Sequence, residues 1–110
     1  MNIKGFLKFG FLFFSWSVHA EYNANMKGVV TEVLTYTHGD QIYFKLDNQP
    51  STHPRCETDY FSIDASIPAE RRHQLLSRLL TAYATGKRVN IGYDNKGNCS
   101  HTRIRAHRVG

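Results

Sequence analysis

The fold of this chain is decided by residues 28–47, which read GVVTEVLTYTHGDQIYFKLD. Positions 28–37 are rich in Val, Thr and Tyr, which favour β-strands. Apolar residues occur on both faces of this segment, as expected for a long strand that bends midway, with Gly28 permitting the bend. Residues 38–40 (HGD) then predict a tight turn, in which Gly39 can take a positive φ angle.

The second strand covers residues 41–47 (QIYFKLD), where apolar and polar positions alternate. A period of two is typical of a half-buried antiparallel strand. Its inward residues are Ile42, Phe44 and Leu46, and its outward residues are Tyr43, Lys45 and Asp47. The segment before the first strand, residues 21–27 (EYNANMK), has no clear period and predicts a mobile arm or a short lead-in.

A third strand is predicted at residues 58–64 (TDYFSID), after a loop at 48–57 that contains two prolines. Its inward residues are Phe61 and Ile63, and its outward residues are Tyr60 and Ser62. Residues 88–94 (RVNIGYD) and 99–109 (CSHTRIRAHRV) predict the fourth and last strands, joined by a hairpin turn at 95–98.

Residues 67–85 (IPAERRHQLLSRLLTAYAT) predict the helix. Ser66 is the expected N-cap, Pro68 suits the first turn, and Gly86 ends the helix. Apolar residues recur at i, i+1, i+4, i+5 and i+8, which predicts one stripe packed in the core rather than a leucine-rich surface for a partner. The stripe consists of Leu75, Leu76, Leu79, Leu80 and Tyr83.

The resulting element order, β-β-β-α-β-β, predicts a mainly β fold with one helix, built as a five-stranded antiparallel barrel. This is the order of the oligonucleotide/oligosaccharide-binding (OB) fold. A long bent first strand lets such a barrel close, and we expect the helix to plug one end. An open α+β sandwich has the same element order and is the alternative.

Residues 1–20 (MNIKGFLKFGFLFFSWSVHA) have the pattern of a secretory signal peptide that is cleaved after Ala20. Lys4 and Lys8 charge its start, and its apolar run of about ten residues is shorter than the roughly 20 that span a bilayer. We therefore expect a single mature domain at 21–110, without a membrane span, in the periplasm or outside the cell. A length of 110 residues, with 41% hydrophobic and 21% charged residues, excludes a multidomain enzyme and a polytopic membrane protein.

Cys56 and Cys99 are the two cysteines of the chain. In an oxidising compartment such a pair is most simply a disulfide, which closes a loop of roughly 44 residues. The alternative is a reactive or metal-binding thiol. That alternative has little support, because there is no Cys-x-x-Cys motif and neither cysteine lies at ligand spacing from a histidine.

The sequence contains no recognisable catalytic motif, and we expect neither an enzyme nor a cofactor. Asp59 and Asp64 lie five residues apart on a strand, so they are expected to point to opposite faces rather than act as a catalytic pair. The histidines outside the leader are expected to be solvated rather than to bind a metal. They are His38, His53, His73, His101 and His107.

Two groups of outward side chains are candidates for ligand binding. The first comprises Arg103, Arg105 and His107 on one face of the last strand, which either bind a carboxylate or phosphate or keep an edge strand charged. The second comprises Tyr36, Tyr43 and Tyr60 on adjoining strands, which either stack on a sugar ring or bury a subunit contact.

Several short stretches resemble one known family of bacterial proteins. They are GVV at 28–30, the turn at Gly39, YF at 43–44, Cys56, and LLTAYATGKRVNI at 79–91. Across residues 26–94 the chain is similar to the B subunit of subtilase cytotoxin and its stand-alone homologues. Those B subunits are OB-fold proteins that form ring pentamers and bind sialylated glycans. The resemblance implies the same fold, a homo-pentamer, a glycan ligand and a toxin A subunit as partner.

The chain departs from that family at two positions. Lys27 stands where the family has a glycan-contacting serine; it can still pair with a carboxylate, but the hydrogen bonding of the serine is lost. Lys45 stands where the family has a cysteine after Tyr-Phe, which makes Cys99 the expected partner of Cys56. Tyr83 matches an aromatic position of the family. Glycan specificity is therefore not implied, and Lys27 joins the arginines, His107 and the tyrosines as a candidate ligand residue.

Two functions follow from these observations. One is an exported carbohydrate-binding protein similar to a toxin B subunit. The other is a stand-alone periplasmic OB-fold protein that binds a protein partner or an anionic small molecule. Export and a mild positive charge argue against a nucleic-acid partner.

Overall fold

The computed structural model describes residues 22–110, and the predicted signal peptide at 1–20 lies outside the described residues. Across 22–110 the chain forms five strands and one helix in the predicted order. They are β1 (Ala24–Thr35), β2 (Ile42–Leu46), β3 (Glu57–Ile63), α1 (Ala69–Thr85), β4 (Arg88–Tyr93) and β5 (Arg103–Val109). No helix in this part of the chain has the length and apolar character needed to cross a membrane.

The strands form a closed barrel in the order β1-β2-β3-β5-β4, with β4 returning to β1. This confirms the OB-fold-like barrel and excludes the open sandwich. Four of the pairings are antiparallel, but β3 and β5 run parallel. The parallel pair arises because the chain leaves β3 through α1, returns along β4, and then reverses again into β5.

Closure depends on β1, which belongs to two strand pairs. Its first half, Ala24–Val29, pairs with β4, and its second half pairs with β2 from Val30 onward. The register shifts between Val30 and Glu32, so the irregularity lies at Thr31 rather than at the predicted Gly28. The prediction of a mobile arm or a short lead-in over 21–27 was wrong for residues 24–27, which belong to β1 and pair with β4.

Gly28 has a different role from the one predicted. A Cβ atom at this position would collide with the side chain of Asn48. Asn48 Nδ2 donates a 2.8 Å hydrogen bond to the Lys27 carbonyl oxygen. The glycine therefore permits the loop after β2 to approach β1 closely.

The barrel interior is filled by apolar side chains from the strands and the helix. The Phe44 and Phe61 rings stack with their centroids 5.2 Å apart. The predicted inward residues of β2 and β3 are buried, as are Leu79, Ile91 and Ile104. Ser62, expected to be outward and exposed, is fully buried because Ser100 covers it with a 2.9 Å hydroxyl–hydroxyl hydrogen bond.

The helix buries a narrower stripe than the sequence predicted. Leu79 and Ala82 are buried in the core, whereas Leu80 is 47% exposed and Tyr83 is 54% exposed. Leu75 and Leu76 of the predicted stripe are partly buried against the core, so the exposed members are the two nearest the C-terminal end of the helix. The assignment of Leu80 and Tyr83 to the core was therefore wrong.

One end of the helix agrees with the prediction and the other does not. Gly86 ends α1 in the left-handed conformation with φ 70°, and its N–H donates to the Ala82 carbonyl oxygen. At the other terminus Pro68, not Ser66, is the N-cap, and no side chain caps the helix. Ser66 instead donates its hydroxyl hydrogen bond to Asp64.

Two predicted turns are built differently from expectation. Gly39 does not take a positive φ angle. The connection after β4 is longer than the predicted turn at 95–98, because β5 begins at Arg103 rather than at Cys99. Within this connection His101 and Thr102 have positive φ angles, which are incompatible with a continuous strand.

Cys56 and Cys99 form the predicted disulfide. Cys56 is buried immediately before β3, and Cys99 lies in the connection between β4 and β5. The bond therefore joins the two loops that precede the parallel pair, β3 and β5. Because the two cysteines are 43 residues apart, the bond restricts a large part of the unfolded chain.

We predict that reduction of the disulfide lowers the free energy of unfolding by about 4 kcal/mol, because the unfolded chain regains the entropy of a large loop. Urea unfolding of the oxidised and reduced protein measures the difference. The double variant Cys56→Ala/Cys99→Ala should match the reduced protein and be insensitive to reductant. Equal urea midpoints for the oxidised and reduced protein would contradict the prediction.

Candidate functional site

Three tyrosines lie side by side on the outer surface of the barrel. Tyr36 follows β1, Tyr43 lies on β2 and Tyr60 lies on β3, so their strands are neighbours in the sheet. The Tyr36 and Tyr43 ring centroids are 5.8 Å apart, and those of Tyr43 and Tyr60 are 6.0 Å apart. We call this group the tyrosine face. The outward orientation predicted for these residues places them in one continuous aromatic surface.

The three rings differ in their access to solvent. Tyr36 is 43% exposed, whereas Tyr43 is only 8% exposed. The guanidinium carbon of Arg103 lies 4.9 Å from the centroid of the Tyr43 ring and covers it through a cation–π contact. Tyr60 is half-buried. A ligand therefore meets the rings of Tyr36 and Tyr60, with Tyr43 supporting them from between.

Polar and charged groups surround the tyrosine face. The Tyr60 hydroxyl donates a 2.9 Å hydrogen bond to Glu32 Oε1, and this bond to a carboxylate raises the pKa of Tyr60. Lys45 Nζ lies 5.9 Å from the Tyr60 ring centroid, and the His38 ring lies 5.7 Å from that of Tyr36. The surface thus combines aromatic faces with hydrogen-bonding groups at their edges.

Arg103 is fixed by carboxylates on β3. Its Nε and Nη2 atoms each donate a 3.0 Å hydrogen bond to Asp59, and Glu57 lies 3.6 Å from Nε. The hydrogen bonds from Arg103 lower the pKa of Asp59, and the same bonds raise the pKa of Arg103. Two carboxylates therefore already compensate the charge of this arginine, and its main effect is to position the tyrosines.

A second polar cluster, which the sequence did not reveal, is centred on Asp64. Ser100 Oγ donates a 2.7 Å hydrogen bond to Asp64 Oδ1, the Ser66 N–H donates to Oδ2, and Arg105 Nη1 lies 3.5 Å from Oδ2. Burial alone would raise the pKa of Asp64, but the bonds from Ser66 and Ser100 and the charge of Arg105 lower it well below the usual range. We call this group the Asp64 cluster.

The Asp64 cluster has the residue types of a catalytic triad but not its geometry. His101 Nε2 lies 3.9 Å from Asp64 Oδ1, while Ser100 donates directly to the same carboxylate. A histidine base would have to lie between the serine and the aspartate. The cluster instead joins the loop after β4 to the end of β3. Within residues 22–110 no group of three His, Cys, Asp or Glu residues is arranged to bind a metal ion.

The remaining candidate residues lie apart from the tyrosine face. Lys27 is exposed on β1, opposite Asn90 of β4. Arg105 belongs to the Asp64 cluster, where its side chain also donates to the carbonyl oxygens of Asn98 and Cys99. The His107 ring stacks on Tyr22.

The structure therefore does not gather Arg103, Arg105 and His107 into one anion site. Both arginines are already paired with carboxylates. The idea of a charged edge strand was also wrong, because β5 pairs with β3 on one side and β4 on the other.

No family model, curated protein or solved structure matches this chain.

We predict that Asp64→Asn lowers the free energy of unfolding at neutral pH by about 1–3 kcal/mol, because the bonds to a charged acceptor are lost. The pKa of Asp64 is lower in the folded state, so its stabilisation is complete above about pH 4 and is lost as the pH falls further. Urea midpoints between pH 7 and pH 2 should therefore depend less on pH in Asp64→Asn than in the wild type.

Asp40→Asn is the matched control for this experiment. The Asp40 side chain is 70% exposed and has one ion pair, at 3.9 Å from Arg72. Its substitution should leave both stability and pH dependence nearly unchanged. If the two variants behave alike, the Asp64 cluster does not stabilise the fold.

Proposed function

We propose that this protein is an exported, non-catalytic carbohydrate-binding protein and that the tyrosine face is its sugar site. The observation that carries the proposal is the row of neighbouring tyrosines on β2, β3 and the loop between β1 and β2, in which Tyr43 stacks on Tyr60 and meets Tyr36 edge to face. This is the surface with which OB folds bind oligosaccharides and oligonucleotides.

The chemistry of the tyrosine face suits a sugar. The apolar face of a pyranose ring packs on an aromatic side chain, and Tyr36 offers such a ring to solvent. The hydroxyl groups of a sugar need acceptors and donors beside that ring, which Glu32 and His38 supply. Lys45 is in no ion pair with the described residues, so it can bind the carboxylate of an acidic sugar.

Two features of the sequence support the same function. The pattern of residues 1–20 is that of a secretory signal peptide, which supports a location in the periplasm or outside the cell. The stretches that resemble the B subunit of subtilase cytotoxin include YF at 43–44, of which Tyr43 is part of the tyrosine face. In that family the OB fold presents glycan sites outside the cell.

We predict that Tyr36→Ala weakens binding of the soluble glycan about fivefold, because it removes an exposed stacking surface worth about 1 kcal/mol. A glycan array with neutral and sialylated glycans identifies the ligand, and calorimetry with the soluble oligosaccharide measures the dissociation constant. Tyr22→Ala is the matched control, because Tyr22 lies before β1, at the end opposite Tyr36, and stacks on His107 rather than on the tyrosine face.

Two results would refute the sugar site. The first is the absence of binding to every glycan on the array. The second is an equal loss of affinity in Tyr36→Ala and Tyr22→Ala, which would show that the tyrosine face has no special role.

The exposed side of the helix supports a proposal about assembly. Leu80 and Tyr83 are large apolar residues three positions apart on α1, and both are exposed. Such a patch is typical of a surface that another subunit covers. We therefore propose a homo-pentamer of the toxin B-subunit type, with a toxin A subunit as its further partner.

We predict a mass five times that of the subunit when light scattering is coupled to size-exclusion chromatography. Leu80→Glu should reduce this mass to that of a monomer, because a buried charge without a partner destabilises an interface. Gln74→Glu introduces the same charge elsewhere on α1 and should leave the assembly intact. A monomeric wild-type protein would exclude the ring but leave the sugar site in place.

A further inference from the structure

An open groove of about 1060 Å³ lies between α1 and the adjoining ends of β4 and β5. Four cationic side chains line it: Arg71, Arg78, Lys87 and Arg88. We call it the basic groove. It shares no residue with the tyrosine face, so an occupant here is independent of a sugar bound there.

No acidic side chain lines the basic groove. The backbone of Gly110 lies beside the side chain of Arg78. The four cations form no ion pair within residues 22–110, whereas Arg72, Arg103 and Arg105 each lie within 4 Å of a carboxylate. Like charges gathered on one surface repel one another, and a bound anion relieves this repulsion. The groove therefore has the charge of a site for an anionic partner.

The arrangement of the cations suits an extended occupant. Arg71 and Arg78 are seven residues apart on α1, which is about 10.5 Å along the helix axis. Lys87 and Arg88 continue the row beyond the end of the helix at Gly86. A polypeptide in the polyproline II conformation has three residues per turn and advances about 3.1 Å per residue, so acidic side chains at every third position lie on one face about 9.3 Å apart and match this spacing.

The lining between the cations includes apolar side chains. Ile67, Leu75, Ala82 and Val89 contribute to it, and no Phe, Tyr or Trp lines the groove. Proteins that bind single-stranded nucleic acids stack the bases on such aromatic side chains. A polypeptide with both acidic and apolar side chains can form ion pairs with the cations and pack against the apolar lining at the same time.

We propose that the basic groove binds an acidic, partly apolar segment of another polypeptide. The carboxylates of that segment pair with Arg71, Arg78 and the cations after the helix, and its apolar side chains pack against Leu75 and Val89. Together with the tyrosine face, this gives the protein two separate binding surfaces, one for a protein and one for a sugar. Loss of either surface leaves the other intact.

Fluorescence anisotropy with a labelled twelve-residue peptide of four Glu-Leu-Ser repeats tests the proposal. We expect the dissociation constant to rise at least about tenfold in Arg71→Glu/Arg78→Glu, because two attractive contacts become repulsive. The matched control is Arg55→Glu/Lys96→Glu, which changes the net charge equally at exposed positions outside the groove and should retain binding. Should the first variant not fold, Lys87→Gln/Arg88→Gln tests the same surface.

Two further peptides separate the contributions of charge and apolar packing. Repeats of Gln-Leu-Ser lack the carboxylates, repeats of Glu-Ser-Ser lack the apolar side chains, and both should bind more weakly than Glu-Leu-Ser. The proposal is wrong if the Glu-Leu-Ser peptide does not bind, or if both charge variants weaken it equally. It is also wrong if a sulfated heparin oligosaccharide binds the groove while the peptide does not.

Discussion

The double pairing of β1 is the constraint on which the rest of this structure depends. A single strand of 12 residues pairs with β4 along its first half and with β2 along its second. The register shift near Thr31 is where it passes from one partner to the other. Without this shared strand the sheet would have two open edges, and exposed edges invite pairing with other chains. Closure also sets the order of the strands, which makes β1, β2 and β3 neighbours and so brings their outward tyrosines together.

The loops at the start of the parallel pair need additional support, because no tight hairpin joins β3 to β5. The disulfide between Cys56 and Cys99 and the Asp64 cluster provide it. One is covalent and the other electrostatic, and both connect the loop after β4 to β3. They fix the start of β5, from which Arg103 extends over the Tyr43 ring. The disulfide and the Asp64 cluster that stabilise the fold therefore also determine where Arg103 lies over the tyrosine face.

The sequence predicted the features that depend on local periodicity. The alternation at 41–47 identified the inward residues of β2, and the same reasoning placed Tyr36, Tyr43 and Tyr60 outward. Prediction from local periodicity failed where a residue distant in the sequence determines the surroundings of a side chain. Asp64 and Ser100 are 36 residues apart, so the local sequence at neither position indicates the hydrogen bond between them. The local sequence also does not indicate that the Ser66 hydroxyl donates to Asp64 instead of capping the helix. The predicted burial of Leu80 and Tyr83 was wrong for a related reason. Helical periodicity identifies the apolar side of a helix, but it does not show how much of that side the end of the barrel covers.

The amino-acid composition does not show where on the folded protein the charges lie. An excess of five positive charges in 110 residues suggests a mildly basic surface everywhere. In the structure, Asp59, Glu57 and Asp64 compensate Arg103 and Arg105 of β5, so those two cations contribute little to the external field. Four cations that form no ion pair within residues 22–110 lie together at the basic groove, which no acidic side chain lines. A small net charge can therefore produce a strong local potential, because folding pairs some cations with carboxylates and leaves others together. The tyrosine face, with Lys45 beside the Tyr60 ring, then suits a ligand held mainly by stacking and hydrogen bonds, and the groove suits one held by charge.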